Sequence, residues 1–232
     1  MLESIDDIDK RLVYCNIDFI DYKEAWDLQK HIFEKRLNKT VPDVLLLLEH
    51  PHTYTLGKTA DKENLVGTEK YLSNNNISVY NIDRGGDITY HGPGQIVGYP
   101  IIDLKEWKPD THLYLRSLEE VIIRTCAHYG IEAGREPKYT GVWINEKKIA
   151  AIGIKVTRWI TMHGFAFNVN TDLSLFSGII PCGIADKDVT SLERELKIKL
   201  KINEVKEILL NNFKSVFGYS STSIEAKNSL ET

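Results

Sequence analysis

The chain has 232 residues, of which 42% are hydrophobic and 27% charged, with a formal net charge of −4. That is the composition of a single globular domain, large enough to bury a core without a disulfide or metal staple. A net negative chain lacks the basic face on which nucleic-acid affinity rests, and its apolar runs are too short to span a bilayer, so neither nucleic acid nor membrane is expected as a partner.

Arg11 to Asp18 alternates weakly and reads as a strand. Asp21 opens a helix to about Asn38, whose apolar residues Tyr22, Ala25, Trp26, Ile32, Phe33 and Leu37 recur at three- and four-residue steps. Val44 to Leu48 is a short, wholly apolar run, better as a buried strand than a helix, and Thr53 to Gly57 is expected to continue the same sheet. Ile77 to Asp83 and Asp87 to Asp103 read as strands broken by glycine-rich turns. Asp110 and Thr111 start a helix that ends near Tyr129 before Gly130. Val142 to Asn145 and Lys148 to Val156 form a hairpin across Glu146-Lys147, and Trp159 to Val169 adds a strand. Asn203 is expected to cap a last amphipathic helix ended by Gly218. Residues 1–218 thus read as one domain and 219–232 as a flexible C-terminal tail. Without regular βαβ alternation, the fold class is α+β, a mixed or antiparallel sheet flanked by helices.

Three stretches carry potential chemistry. In Asp83-Arg84-Gly85-Gly86-Asp87-Ile88-Thr89-Tyr90-His91-Gly92-Pro93-Gly94-Gln95, glycines permit tight turns or close backbone approach to a ligand. Read alone it is a pair of hairpin turns or a phosphate-cradling loop, although neither GxGxxG nor a GK[ST] ending is present. Lys148 begins a nearly uninterrupted apolar strand, either as a solvated edge residue or as a lysine aimed inward. The cysteines Cys15, Cys126 and Cys182 are an odd count without framework spacing. With an acidic Met1 to Arg11 stretch that lacks an apolar h-region, they fit the reducing cytoplasm. Cys15 and Cys126 sit on apolar faces, whereas Cys182, between Pro181 and Gly183, has the flanks of a turn. A nearby ammonium would stabilise its thiolate and make it a nucleophile. No set of Cys, His and carboxylate residues has zinc spacing, so no metal is expected.

Arg84-Gly85-Gly86-x-x-Thr89-Tyr90-His91-Gly92-Pro93-Gly94-Gln95 resembles the hallmark of the lipoyl(octanoyl) transferase family. Lys148-Ile149-Ala150-Ala151-Ile152-Gly153, His163-Gly164-Phe165-Ala166-Phe167-Asn168-Val169 and Pro181-Cys182-Gly183 resemble that family's other motifs, in its order, and Tyr22-x-x-Ala25-Trp26-x-x-Gln29 resembles its first helix. The resemblance implies the fold of the biotin/lipoate ligase catalytic domain and, without a cofactor, transfer of an octanoyl group from octanoyl-acyl carrier protein to a lysine of lipoyl domains. Those domains belong to 2-oxoacid dehydrogenase E2 subunits and the glycine cleavage H protein. Cys182 would carry the acyl group as a thioester, and Lys148 would lower its pKa and help deprotonate the incoming lysine. The acyl pocket would be formed by Arg84, Gly85, Gly86, Asp87, Ile88, Thr89, Tyr90 and His91, by Ala151, Ile152 and Gly153, and by Gly164, Phe165 and Ala166. Ile149, Ile152 and Phe165 could wall it; burying roughly seven methylenes at about 0.8 kcal/mol each offers about 5 kcal/mol. The basic residues Arg135, Lys138, Lys147 and Arg158 are expected near its mouth, to receive an acidic carrier.

Two other readings compete. An ATP-dependent lipoate or biotin ligase would activate its acid as an adenylate and need no cysteine. A non-catalytic acyl-chain or carrier-protein binding module would keep the glycine loops and leave Cys182 idle.

Overall fold

The computed structural model describes residues 10–180 and 188–231, so Pro181-Cys182-Gly183 lies outside the described residues. Strand β1 (Arg11–Asn16) opens the chain. The Asp21 side chain then accepts the N–H groups of Lys23 and Glu24 and caps helix α1 (Tyr22–Leu37). β2 (Asp43–Leu48) is buried at every residue because both its faces are covered. Val44, Leu46 and Leu48 pack into the core with α1, while Leu45 and Leu47 join the core on the other face.

The chain then leaves this sheet. β3 (Thr53–Leu56), helix α2 (Glu69–Asn74), β4 (Ser78–Asn81) and β5 (Ile88–His91) form a second unit, a three-stranded sheet in the order β4-β3-β5. Thr53 to Gly57 therefore does not extend the first sheet as expected. The turn at His50-Pro51-His52 redirects it, with His50 Nδ1 held 2.8 Å from the Ile20 carbonyl oxygen.

β6 (Gln95–Ile101) returns to the main sheet. Helices α3 (Leu104–Trp107) and α4 (Thr111–His128) follow, then β7 (Gly134–Glu136), β8 (Tyr139–Ile144), β9 (Lys147–Thr157) and β10 (Ile160–Asn168). After Asp188 come β11 (Asp188–Val189), α5 (Leu192–Leu196), α6 (Ile202–Phe217), β12 (Ser221–Ile224) and α7 (Lys227–Glu231). The main sheet runs β12-β1-β2-β6-β10-β9-β8-β7, with β11 beside β9. β1 is parallel to both neighbours and the centre is antiparallel, so the sheet is mixed, the α+β class expected. One face buries Tyr114, Leu118 and Ile122 of α4 and Val205, Leu209 and Phe213 of α6; the other buries Ala25, Leu28 and Ile32 of α1.

Three local expectations are corrected. The β8–β9 turn is Asn145-Glu146, one residue earlier than read, because Ile144 pairs with Lys147 and Asn145 accepts a φ of 53°. α6 starts after Lys201 without a side-chain cap; Asn203 lies in its first turn, where its Oδ1 accepts from Asn16 Nδ2 at 3.4 Å. The residues after Gly218 do not simply fray: β12 pairs in parallel with β1, covering what would otherwise be a bare sheet edge, and α7 buries Leu230 beside α1. Among the described residues no helix is long and apolar enough to cross a membrane.

Candidate active site

Lys148 stands at the start of β9 and is only 8% exposed. Its ammonium lies 4.8 Å from the centroid of the Trp143 ring on neighbouring β8. Its stem passes over Gly141: a Cβ there would sit 2.6 Å from the Ala150 oxygen and 3.5 Å from Lys148 Cε, and φ is +128°. Only glycine leaves this lane open. On its other side, Val189 of β11 pairs with Lys148, and Thr190 N–H donates to the Lys148 carbonyl at 2.9 Å.

Antiparallel register builds a groove beside this lysine. Residues directly opposite on adjacent strands share a face. One row is Ala151–Ala166–Val97 across β9, β10 and β6; the next is Gly153–Gly164, continuing toward Tyr99. Alanine and glycine leave these positions hollow where β2 carries leucine and valine. At Gly164 the sheet also demands it, since a Cβ would lie 2.2 Å from the Gly98 oxygen. β5 and the loop before it roof the groove with Ile88, Thr89, His91, Arg84, Gly86 and Asp87. An open trough continues it past Gly85, Leu115, Lys138 and Tyr139 to solvent.

The roof is tied down at several points. Gly85 N–H donates to the Ile154 carbonyl at 2.9 Å, and Arg84 Nη2 donates to both Thr55 O and Thr55 Oγ1 at 2.9 Å. The Asp83 carboxylate meets His163 Nε2 at 2.9 Å and Lys155 Nζ at 2.6 Å. The hydrogen bond from His163, backed by Lys155, holds its carboxyl well below the ordinary range. Burial pushes His163 down. This histidine takes a φ of 58° within β10, and its N–H donates to Gln29 Oε1 of α1 at 2.9 Å.

Beneath the roof runs a single-direction chain of hydrogen bonds. Burial first, and then the neighbouring His50 and Arg84, push His91 well below its ordinary pKa, so it is neutral. Its Nδ1 lies 2.9 Å from Gln95 Oε1, an acceptor, so Nδ1 carries the proton and Nε2 accepts from Thr55 Oγ1 at 3.4 Å. Gln95 Nε2 donates to Asn168 Oδ1 at 2.9 Å, and Asn168 Nδ2 donates to the Thr190 carbonyl at 3.0 Å. Arg84, Thr55, His91, Gln95, Asn168 and Thr190 thus link the roof to the strand that pairs with Lys148.

The acyl-pocket residues implied by the resemblance converge. Arg84, Gly86, Asp87, Ile88, Thr89, His91, Ala151, Ile152, Gly153, Gly164, Phe165 and Ala166 line one groove with Lys148, and Gly85 lines the trough. Tyr90 does not line it: strand alternation turns it into the small sheet's own core, where its hydroxyl meets His52 Nδ1 at 2.8 Å. Ile149 likewise faces the α4 side rather than the groove. Cys182 lies outside the described residues. Of the basic residues, Lys138 lines the trough, whereas Arg135 is paired with Glu119 and Glu120 at 3.0 and 2.8 Å and Arg158 lies past the far end of β9. Sequence reasoning did not assign Tyr22, Val97, Tyr99 and Thr140 to the lining, although Tyr22 belongs to a quoted motif; His163 of the quoted His163-Gly164 motif lines it as well.

A sheet with a hollow row ending at a buried lysine suits an enzyme that holds a short acyl chain next to its reacting groups. The chain belongs to the lipoyl protein ligase A/B catalytic domain family, whose profile matches residues 21–214. It is 48% identical over 227 residues to the octanoyltransferase of Christiangramia forsetii, covering 90% of this chain and 97% of that one. It is 54% identical over 199 residues to the octanoyltransferase of Rubrobacter xylanophilus, covering 85% and 89%. In structure it is similar to a lipoate-protein ligase A bound with ATP, with a TM-score of 0.72 and 16% identity over 96% of this chain and 92% of that one. The biotin protein ligase from Aquifex aeolicus in complex with biotin and ATP is more distant, with a TM-score of 0.52 and 15% identity over 90% and 71%. At such identities the structural likeness shows the fold alone. The family and the fold expected from the motifs are both borne out.

Proposed function

We propose that the chain is an acyltransferase of lipoate biosynthesis that moves an octanoyl group onto the specific lysine of lipoyl domains. Relatives about half identical over nearly their whole length carry the name octanoyltransferase, which supports this activity. The donor is octanoyl-acyl carrier protein and the acceptors are lipoyl domains of 2-oxoacid dehydrogenase E2 subunits and the glycine cleavage H protein, in the cytoplasm.

The observation that carries the mechanism is the placement of Lys148, buried at the mouth of a groove lined by small residues and resumed as an open trough. The Cys182 thiolate attacks the donor thioester carbonyl, and the tetrahedral intermediate expels the carrier thiolate, which takes a proton from the Lys148 ammonium. The acyl group now sits on Cys182 as a thioester, its chain along the groove. The acceptor lysine attacks as a free amine, neutral Lys148 takes its proton, and collapse expels the Cys182 thiolate beside the restored ammonium. Thioester-to-thioester exchange is nearly balanced in energy and thioester-to-amide transfer runs downhill, so no ATP is consumed.

Intact mass after incubation with octanoyl-acyl carrier protein, without ATP, tests this. The expected result is one octanoyl adduct, labile to hydroxylamine and absent in Cys182→Ser. No adduct on the chain, with octanoylation of a lipoyl domain that requires octanoate and ATP, would favour the ligase chemistry instead.

A further inference from the structure

We infer that acyl-chain length is set by a hydrogen-bonded stop at the inner end of the groove, built from Tyr22, Tyr99 and His50; this rests on the groove being the acyl site. The groove crosses the strands rather than following one. It starts beside Lys148 at Ala151 and Gly153 of β9, passes Gly164 and Ala166 of β10, and ends over Val97 and Tyr99 of β6. Two inter-strand steps of about 4.8 Å give a run of about 9.6 Å. An extended eight-carbon chain, with bonds of about 1.5 Å, is about 9 Å long. With its carbonyl near Lys148, its terminal methyl reaches the rings of Tyr99 and Tyr22.

This end wall is aromatic and internally paired. His50 is fully buried, and its Nδ1 lies 2.8 Å from the Ile20 carbonyl oxygen, which can only accept, so Nδ1 carries the proton. Burial holds the ring neutral, with a pKa pushed down to about 4. Nε2 is therefore an acceptor, and the Tyr99 hydroxyl donates to it at 2.8 Å. Tyr22 completes the wall beside Tyr99, both lining the same groove. Behind it, the Tyr22 ring packs with centroids 5.0 Å from His50, 5.4 Å from Tyr80 and 5.7 Å from His91.

The pairing makes the wall hard. A leucine or methionine wall would yield by changing rotamer. Here, displacing the Tyr99 phenol breaks its buried hydrogen bond to His50, roughly a 5- to 150-fold loss. Each further methylene buried returns only about fourfold. One added methylene therefore loses more at the stop than it gains, and shorter chains forgo about fourfold per missing methylene.

The experiment compares kcat/KM for hexanoyl, octanoyl and decanoyl N-acetylcysteamine thioesters, with a lipoyl domain as acceptor. Tyr22→Leu should raise the decanoyl-to-octanoyl ratio about tenfold or more. Tyr99→Phe keeps the ring but cuts the pairing, and should raise it about fivefold. Ala166→Val, which narrows the groove before the stop, should raise the hexanoyl-to-octanoyl ratio. If Ala166→Val shifts the profile and neither tyrosine variant does, the stop is overturned and the groove assignment stands. If none shifts it, the groove assignment falls and the stop with it. Should Tyr22→Leu fail to fold, judged by its thermal unfolding, Tyr99→Phe alone decides.

Discussion

Replacing Gln95 by leucine should cost far more than an ordinary buried polar-to-apolar exchange. Gln95 is 1% exposed and sits at the middle of the hydrogen-bond chain. Its Oε1 accepts from His91 Nδ1 at 2.9 Å, while its Nε2 donates to Asn168 Oδ1 at 2.9 Å and to the Tyr90 carbonyl at 3.1 Å. Leucine has nearly the same volume, so the loss comes from pairing, not from a cavity. Three buried groups lose a partner, at about 1–3 kcal/mol each. Because they share one network the terms do not simply add, and about 3–5 kcal/mol is expected. That is a large fraction of the about 5–15 kcal/mol that holds a domain folded. Urea unfolding measures it, with an unchanged slope showing that only native-state pairing was lost. A double-mutant cycle with His91→Phe should return a coupling of about 1–2 kcal/mol. Destabilisation under about 1 kcal/mol, or strict additivity with His91→Phe, would refute the chain of bonds.

Acid should destabilise the protein through His50. Its folded pKa, about 4, lies below the ordinary 6.5, so the unfolded chain binds more protons between these values. The stabilisation is complete above about pH 6.5 and is lost as pH falls through about 4, worth about 3 kcal/mol across the window. Urea unfolding at pH 7 and 4.5 should show it, and His50→Gln should flatten the dependence; an equal slope in both proteins would count against it. Asp83→Asn should lower the melting temperature at pH 7, because His163 and Lys155 lose their shared carboxylate. The gap from wild type should close below pH 3.8, the ordinary carboxyl value, as the depressed Asp83 titrates; a gap that persists in strong acid would disprove the pairing. Finally, burial pushes Cys15 and Cys126 up to about 11 and about 12, so native protein treated with iodoacetamide at pH 8 should gain one adduct, mapped to Cys182. Labelling of Cys15 or Cys126 at a comparable rate would contradict their burial.

Much of the main sheet was readable because its local signals agree with its tertiary ones. Asp21 precedes a helical periodicity and does cap α1, and the apolar run at Val44 is a strand with both faces covered. Disagreements arose where a distant partner decides. Nothing near Thr53 announces that its strand will pair with β4 and β5 instead of joining β2, and nothing in the serine-rich end announces that β1 has an edge to cover. Tyr99 and Thr55 are ordinary residues of apolar strands; they matter because His50 and His91 arrive beside them from elsewhere in the chain.

The groove shows the same point most sharply. Ala151, Gly153, Gly164 and Ala166 are individually weak strand formers, and each would read as a flaw in its strand. Register turns them into one hollow, because Gly164 falls opposite Gly153 and Ala166 opposite Ala151. The motif pieces from β9 and β10 are therefore two sides of one hairpin, and the glycine-rich piece is the roof laid over it, fastened where Gly85 reaches Ile154 and Asp83 reaches Lys155 and His163. Three segments, two of them adjacent in one hairpin, carry recognisable residues for one reason: a slip of one residue in the β9–β10 register would turn every hollow position to the opposite face.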